Sequence, residues 1–323
     1  MVAEIERSSA LDAVRAAAGL CAAAQGRLAA GDTLTKGDDS PVTVADFAAQ
    51  AVVCATLTEH LGAIELVGEE DSSDLTDQTS LRDGVVELVR AQRGEDVAAG
   101  TVVDWISVGH ADGSGDRYWT LDPIDGTKGF LRGDQYAIAL ALIDHGEVVL
   151  GVLGCPNLPN PDGSRGAIFL ATDGACDVYY ASADAPVRAV VAAPATLAEA
   201  RVCESVESGH SNHDHSARIT ELLGIIAEPY RIDSQCKYGA VARGDASIYL
   251  RLPTRADYRE KIWDHAAGKF VVEQAGGRVT DVTGAPLDFS HGRFLERNRG
   301  VVATDGRFHD EVVAAVQQVL SRS

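Results

Sequence analysis

The chain is organised around the stretch from Tyr118 to Phe130, which reads YWTLDPIDGTKGF. In this stretch an apolar, strand-like run is followed directly by a turn that carries two carboxylates and a hydroxyl. Pro123 fixes its own φ angle and has no N–H, and Gly126 tolerates a positive φ, so the backbone is expected to turn sharply after the strand. This turn would hold the carboxylates of Asp122 and Asp125 close together.

Two interpretations of this turn follow from its residues. Two carboxylates at short separation repel each other unless a cation or a shared proton lies between them. Mg²⁺ is bound by oxygen ligands of this kind, including a backbone carbonyl such as that of Ile124, and Thr127 adds a hydroxyl within reach of a metal-bound water. An isolated motif of this form is also typical of a β-turn whose aspartates cap the following helix, so the metal interpretation depends on the rest of the chain.

The composition restricts the class of protein. Of the 323 residues, 46% are hydrophobic and only 6% are aromatic, so we expect a core of Ala, Val, Leu and Ile in one large or two medium domains. The apolar run Ala137–Ile143 has seven residues, far fewer than a membrane span needs. Met1–Glu6 already contains two glutamates, unlike the basic start of a signal peptide, so a cytoplasmic location is expected.

Charge and cysteine usage restrict the partners. The formal net charge of −20 argues against nucleic-acid polymers and anionic membranes, because phosphate binding needs clustered Lys and Arg. An anionic small substrate would then need bound cations, which is a second indication of a divalent metal. The six cysteines are spread singly without a C-x-x-C pair, which is typical of reduced, mostly buried thiols. We expect a monomer or a weak oligomer that binds a small molecule.

Hydrophobic periodicity predicts helices and strands along the whole chain. The predicted helices are Leu11–Ala30, Phe47–Leu61, Leu81–Arg90, Ser216–Leu223, Ile262–Ala275 and Asp310–Leu320. The predicted strands are a short one in Ile64–Ser72, the hairpin of Tyr136–Ile143 with Glu147–Cys155, Ala167–Thr172, Cys176–Tyr180, Arg201–Glu204, Ala246–Leu252 and one beginning at Val279. The stretch Ala181–Pro194 predicts a boundary between an N-terminal α+β lobe, residues 1–183, and a C-terminal α/β lobe, residues 184–323.

Three separate segments place carboxylates beside a strand end or a helix start. Glu69 follows the short strand, Asp122 and Asp125 lie in the central turn, and Asp264 follows a tryptophan; each alone is typical of a solvated loop or a cap. In this order and spacing the motifs resemble the signature of the inositol monophosphatase superfamily of Mg²⁺-dependent, lithium-sensitive phosphatases, from about Ala10 to the C-terminus. The resemblance implies an α+β or α/β fold, a layered α-β-α-β-α sandwich of the inositol monophosphatase and fructose-1,6-bisphosphatase type with two lobes.

Within the superfamily the chain resembles the 3′(2′),5′-bisphosphate nucleotidases, which remove the 3′-phosphate of adenosine 3′,5′-bisphosphate (PAP). The segments that carry this resemblance are Asp125–Gly133, Val206–His210, Asp233–Tyr238 and Tyr249–Pro253. It implies hydrolysis of PAP to AMP in sulfur assimilation, with the sulfonated nucleotide PAPS as an open second substrate. An inositol (poly)phosphate 1-phosphatase would share the metal site. A catalytically silent binding module is a remote alternative, which would be expected to lose Asp46, Thr127 or a metal ligand.

The resemblance also implies a set of metal ligands. Glu69, Asp122 and the carbonyl of Ile124 would hold one Mg²⁺, while Asp122, Asp125 and Asp264 would hold a second. Glu69 would reach a third Mg²⁺ through water, so two to three ions are expected in each active site. Asp122 would bridge two of them.

The same resemblance implies catalytic and substrate-binding residues. Thr127, paired with Asp46, would orient and deprotonate the attacking water, because the carboxylate can take the proton that the hydroxyl alone is too weak to remove. The residues implied in substrate binding are Gly126, Thr127, His210, Ser234, Lys237, Arg251 and Asp264. His210 has an alternative interpretation as part of a metal cluster with His213 and His215, but this spacing in a polar loop is poor for zinc and favours a solvated loop.

Overall fold

A computed structural model gives the fold and describes residues 2–25, 33–35, 41–76, 78–206, 213–253, 255 and 257–322. The helices in these residues are α1 (Glu4–Gln25), α2 (Val44–Leu61), α3 (Thr79–Arg93), α4 (Ala99–Ser107), α5 (Thr127–Arg132), α6 (His213–Leu223), α7 (Cys236–Ala242), α8 (Ala266–Gln274) and α9 (His309–Leu320). The strands are β1 (Thr33–Thr35), β2 (Pro41–Thr43), β3 (Leu66–Gly68), β4 (Arg117–Asp125), β5 (Ala137–Asp144), β6 (Glu147–Pro159), β7 (Arg165–Thr172), β8 (Ala175–Tyr180), β9 (Val187–Arg188), β10 (Val202–Glu204), β11 (Tyr230–Arg231), β12 (Ile248–Arg251), β13 (Arg278–Thr280) and β14 (Val301–Thr304).

The larger sheet has seven strands in the order β3-β4-β5-β6-β7-β8-β9. β3 runs parallel to β4, and the remaining neighbours pair antiparallel. The predicted hairpin is confirmed: β5 and β6 meet at a turn in which His145 and Gly146 have φ angles of 52° and 79°. β4 is buried from Tyr118 to Ile124, so the central motif lies inside the sheet and not at its edge.

The smaller sheet has five strands in the order β11-β10-β12-β14-β13. β10 runs parallel to β11 and β12, while β14 runs antiparallel to β12 and β13. One core packs α1 to α4 on the first face of the larger sheet, a second core with α7 and α8 lies between the sheets, and a third packs α6 and α9 on the outer face of the smaller sheet. The predicted α-β-α-β-α layering is therefore confirmed.

Small aliphatic side chains build the first core. Ala10, Ala13 and Ala17 of α1 and Ala48 and Ala51 of α2 are all fully buried there. Alanines allow two helices to approach each other closely, while each buried Val, Leu or Ile adds roughly 1.5–3 kcal/mol to the stability. All six cysteines are buried as well, as predicted. In the described part of the chain, no helix has both the length and the apolar composition of a membrane span.

Several element boundaries differ from the predicted ones. α1 begins at Glu4, well before the predicted start, and residues 26–30 of that prediction lie outside the described residues. α4 was not predicted, because Gly100 and a β-branched run weaken its helix propensity; burial of Val102 and Ile106 stabilises it instead. α8 begins at Ala266, later than predicted. The division at residues 183 and 184 remains a prediction, and β9, which follows it, still pairs with β8.

Candidate active site

The central turn is a β-bulge inside β4. Asp122 pairs with Ala139 of β5 and Asp125 with Ala137, so β4 has one extra residue between these positions. Pro123 lies within the bulge, where its missing N–H removes one bond from the ladder. The expected end of the strand before the aspartates was therefore wrong, because β4 continues through both of them and the bulge redirects their side chains.

The bulge is followed directly by helix α5. Gly126 has φ 90° and precedes the first residue of α5. A Cβ atom at this glycine would lie 2.8 Å from the Cβ of Ser234, so both the backbone conformation and the close approach require glycine. The hydroxyl of Thr127 donates to the carbonyl oxygen of Ile124 at 3.3 Å.

A cleft of about 520 Å³ brings most of the predicted residues together. Its lining includes Glu69, Asp122, Ile124, Asp125, Gly126, Thr127, Ser234, Lys237, Arg251 and Asp264. Among the predicted residues that the structure describes, Asp46 is the one outside this lining, and it is buried in the first turn of α2. His210 lies outside the described residues. Segments that are far apart in sequence therefore meet at one cleft.

Two buried carboxylates of the cleft, Asp122 and Asp264, are poorly compensated by the protein. Asp122 is 2% exposed, and its Oδ1 atom has no hydrogen-bond partner among the described residues. Burial first, and then the nearby charges of Glu69, Asp125 and Asp264, raise the pKa of Asp122 well above its usual range. Burial also raises the pKa of Asp264 to about 8, although Arg251 opposes this shift. An unpartnered oxygen among several carboxylates fits a hard divalent cation such as Mg²⁺.

Arg251 of the cleft lining compensates a buried carboxylate that lies outside that lining. Glu260 Oε2 lies 2.8 Å from Arg251 Nε and 3.1 Å from His265 Nε2, and the hydroxyl of Tyr238 lies 2.8 Å from His265 Nδ1. Burial opposes ionisation of Glu260, but Arg251 and His265 outweigh it and lower its pKa to about 2. Arg251 Nη2 also reaches Asp264 Oδ2 at 3.3 Å. Because Arg251 already neutralises the carboxylate of Glu260, that carboxylate needs no metal ion to compensate its charge.

A second cation lies deeper in the cleft. Lys237 is 6% exposed, and its ammonium group donates to Ser205 Oγ at 3.2 Å and to the Ile232 carbonyl at 3.4 Å. It lies 5.4 Å from the ring centroid of Tyr249. Burial lowers the pKa of Lys237. A buried ammonium with two neutral partners is suited to bind an anionic group that enters the cleft.

Comparison with known proteins identifies the family. The model of the inositol monophosphatase family matches residues 4–321. The chain belongs to this family. It is 44% identical over 338 aligned residues to a 3′(2′),5′-bisphosphate nucleotidase of Oryza sativa, with 98% of this chain and 94% of that protein covered. A protein of the same name from Schizosaccharomyces pombe is 41% identical, with 99% and 97% covered.

Solved structures show that the inositol monophosphatase fold extends over the chain. The extragenic suppressor protein SuhB of Bartonella henselae superposes with a TM-score of 0.66 at 20% identity, covering 96% of this chain and 98% of that one. Inositol monophosphatase from Anabaena superposes with a TM-score of 0.60 at 19% identity, covering 98% and 97%. Inositol monophosphatases are generally Mg²⁺-dependent, and the oxygen donors of the cleft fit that metal.

Gln235 organises the site of this inositol monophosphatase family member and was missed by sequence reasoning. The backbone N–H of Gln235 donates to the carboxylate of Asp125, and its buried side-chain amide donates to the Trp263 carbonyl at 3.1 Å. Gln235 therefore connects the bulge in β4 to the residue before Asp264. The segment around Gln235 was recognised, but a contact between positions so far apart in sequence leaves no local pattern.

Proposed function

We propose that the chain is a Mg²⁺-dependent 3′(2′),5′-bisphosphate nucleotidase that hydrolyses PAP to AMP and phosphate. The observation that carries this proposal is one cleft that combines undercompensated Asp122 and Asp264 with buried Lys237 and partly buried Arg251. Relatives named for this activity are 41–44% identical over most of the chain, which supports it. An inositol phosphate with only one phosphate would not need the two positive charges of Lys237 and Arg251.

The proposed metal ligands are four of the carboxylates and one carbonyl of the cleft lining, namely Glu69, Asp122, Ile124, Asp125 and Asp264. Two to three bound Mg²⁺ ions would neutralise the phosphate dianion and lower the pKa of the attacking water. Without such cations this group of carboxylates would repel the substrate, so metal and substrate binding are expected to depend on each other.

The proposed proton acceptor is a pair of residues. Thr127 would orient the attacking water through its hydroxyl, and Asp46 would take the proton. The bond from Thr127 to the Ile124 carbonyl is at the long end of the hydrogen-bond range, so reorientation of the hydroxyl costs little. The N–H groups of Gly126 and Thr127 at the start of α5 would donate to a phosphate oxygen.

The proposed nucleotide contacts that the structure describes come from the C-terminal part of the chain and line the cleft. Lys237 and Arg251 would bind the 5′-phosphate, with further hydrogen bonds from Ser234 and His210 and a contact with Asp264. PAPS carries the same 3′-phosphate and is a second candidate substrate of this site. Removal of that phosphate would serve sulfur assimilation, in which PAP is a by-product.

Phosphate release tests the proposal directly. Wild type, Lys237→Met and Lys269→Met are each assayed with Mg²⁺ on PAP and on inositol 1-phosphate. The control residue Lys269 lies on α8 and pairs with Glu273 at 2.8 Å. We expect wild type and the control to prefer PAP strongly and Lys237→Met to lose that preference. If wild type released phosphate from inositol 1-phosphate as fast as from PAP, or faster, the chain would be an inositol phosphatase and the proposal would be wrong.

A further inference from the structure

Arg293 joins two parts of the cleft wall that carry proposed metal ligands. Its Nη2 donates to the carbonyl oxygen of Gly68 at 2.8 Å, and its Nη1 donates to the carbonyl oxygen of Ala111 at 3.2 Å. Gly68 is the last residue of β3 and immediately precedes Glu69. The guanidinium group therefore fixes the backbone from which the Glu69 carboxylate projects into the cleft.

The same side chain contacts the opposite part of the wall. Its guanidinium carbon lies 4.7 Å from the ring centroid of Trp263, which immediately precedes Asp264 and is 4% exposed. The backbone is held there too, because the Ile262 N–H donates to the Arg293 carbonyl at 3.2 Å and the Leu295 N–H donates to the Glu260 carbonyl at 2.9 Å. The backbone of Arg293 is therefore bonded to the segment that precedes Asp264. Its guanidinium group donates to the segment that precedes Glu69.

We propose that Arg293 is a positioning residue that fixes the separation of Glu69 and Asp264 across the cleft. The inference rests on the proposed function, because it uses the assignment of both carboxylates as metal ligands. Both carboxylates line the same cleft and like charges repel each other, while Glu69 follows β3 and Asp264 precedes α8. The planar guanidinium of Arg293 donates to two carbonyls and stacks on the indole of Trp263. These contacts oppose the repulsion between the two carboxylates in the metal-free protein.

Direct titration with Mg²⁺ alone tests this role without any turnover. Isothermal titration calorimetry compares wild type with Arg293→Met, Arg293→Lys and the control Arg297→Met, whose arginine is 70% exposed and pairs only with Asp288 at 3.3 Å among the described residues. Removing a residue that orients metal ligands weakens metal affinity by about 10- to 100-fold, which is the expected rise in Kd for Arg293→Met. Arg293→Lys should show a smaller rise, because an ammonium cannot hold both carbonyls in the fork geometry. Arg297→Met should match wild type.

The outcomes separate the role of Arg293 from the proposed function. An unchanged Mg²⁺ Kd in folded Arg293→Met, or in folded Arg293→Lys if the first variant does not fold, overturns the positioning role. A raised KM for PAP with unchanged Mg²⁺ affinity also overturns it and makes Arg293 a substrate contact. If wild type binds Mg²⁺ but releases no phosphate from PAP, the proposed function fails while the titration still decides the role of Arg293.

Discussion

Two groups of residues at the cleft differ in whether the protein compensates their buried carboxylates. The acidic wall, formed by Glu69, Asp122 and Asp125, leaves an Asp122 oxygen without a partner among the described residues, and the pKa of Asp122 is raised. The paired wall consists of Arg251, which lines the cleft, and its bonded neighbours Glu260 and His265, which do not; it buries Glu260 almost as deeply but lowers its pKa to about 2. Burial of a carboxylate therefore does not define a site. What defines it is whether the protein supplies the opposite charge or leaves that to a ligand.

The largest expected effect comes from breaking the acidic wall. Asp122→Asn removes the ligand proposed to bridge two metals, so PAP hydrolysis should fall by about 10³-fold or more, since metal activation of water accounts for several kcal/mol. The same change removes a buried acid whose ionised form is disfavoured by burial and by the nearby carboxylates. The metal-free variant should therefore be more stable than wild type at pH 8, by about 1 kcal/mol in urea unfolding with chelator present.

A matched control for this variant is Asp116→Asn. Asp116 precedes β4 and its side chain is 87% exposed, so the substitution should change neither the activity nor the stability measurably. If Asp122→Asn retained full activity at saturating Mg²⁺, the assignment of the acidic wall as the metal site would be wrong.

The paired wall should respond in the opposite direction. Glu260→Gln leaves Arg251 without its buried carboxylate partner and weakens the bond to His265, so the free energy of unfolding should fall by about 3 kcal/mol. Urea unfolding of metal-free protein measures this. If Asp122→Asn and Glu260→Gln changed the free energy of unfolding in the same direction, the two walls would not differ in the way their pKa shifts indicate.

Magnesium should stabilise the protein through the acidic wall and Asp264, and not through Glu260. At a Mg²⁺ concentration of 100 times Kd, the free energy of unfolding of wild type should rise by about 2.7 kcal/mol. Glu260→Gln should keep most of this increase, and Asp122→Asn should lose it. Thermal unfolding with and without Mg²⁺ measures the difference, and Ca²⁺-free chelated samples provide the baseline. Equal stabilisation of both variants would place the metal elsewhere.

The two walls also differ in how far sequence could predict them. The acidic wall was predicted residue by residue, because Glu69, Asp122 and Asp125 lie in short motifs with fixed spacing. The contacts that organise the rest are long-range: Gln235 donates to Asp125 across 110 positions, and Arg293 donates to Gly68 across 225. No local pattern encodes such pairs.

The fold shows the same limit. The layering and the β5–β6 hairpin followed from periodicity and from the family resemblance, which together cover most of the chain. The bulge in β4 was instead predicted as a turn, because Pro123 and Gly126 are typical of both. Helix α4 was missed because tertiary burial of Val102 and Ile106, and not helix propensity, decides its conformation. Both errors arise where packing overrides local preference.

The smallest expected effect concerns a buried titratable group that does not line the cleft. His309 is 1% exposed and lies 2.9 Å from the hydroxyls of Thr280 and Thr304. Burial, assisted by Arg278 and opposed by Asp310, lowers the pKa of His309 to about 4. The neighbours of both Glu260 and His309 are protein groups. They favour the charged form of Glu260 but the neutral form of His309.

The sign of its pH effect follows from this shift. The unfolded chain binds a proton at His309 near pH 6.5, whereas the folded chain does not until about pH 4, so stability is lost as pH falls through that window. Between pH 7 and pH 5.5 the loss should be about 1 kcal/mol. Urea unfolding of wild type and His309→Gln at each pH isolates it, because the carboxylates are common to both proteins and cancel in the difference. A difference that stays constant with pH would mean that His309 titrates at the same pH in the folded and the unfolded chain, so that burial does not lower its pKa.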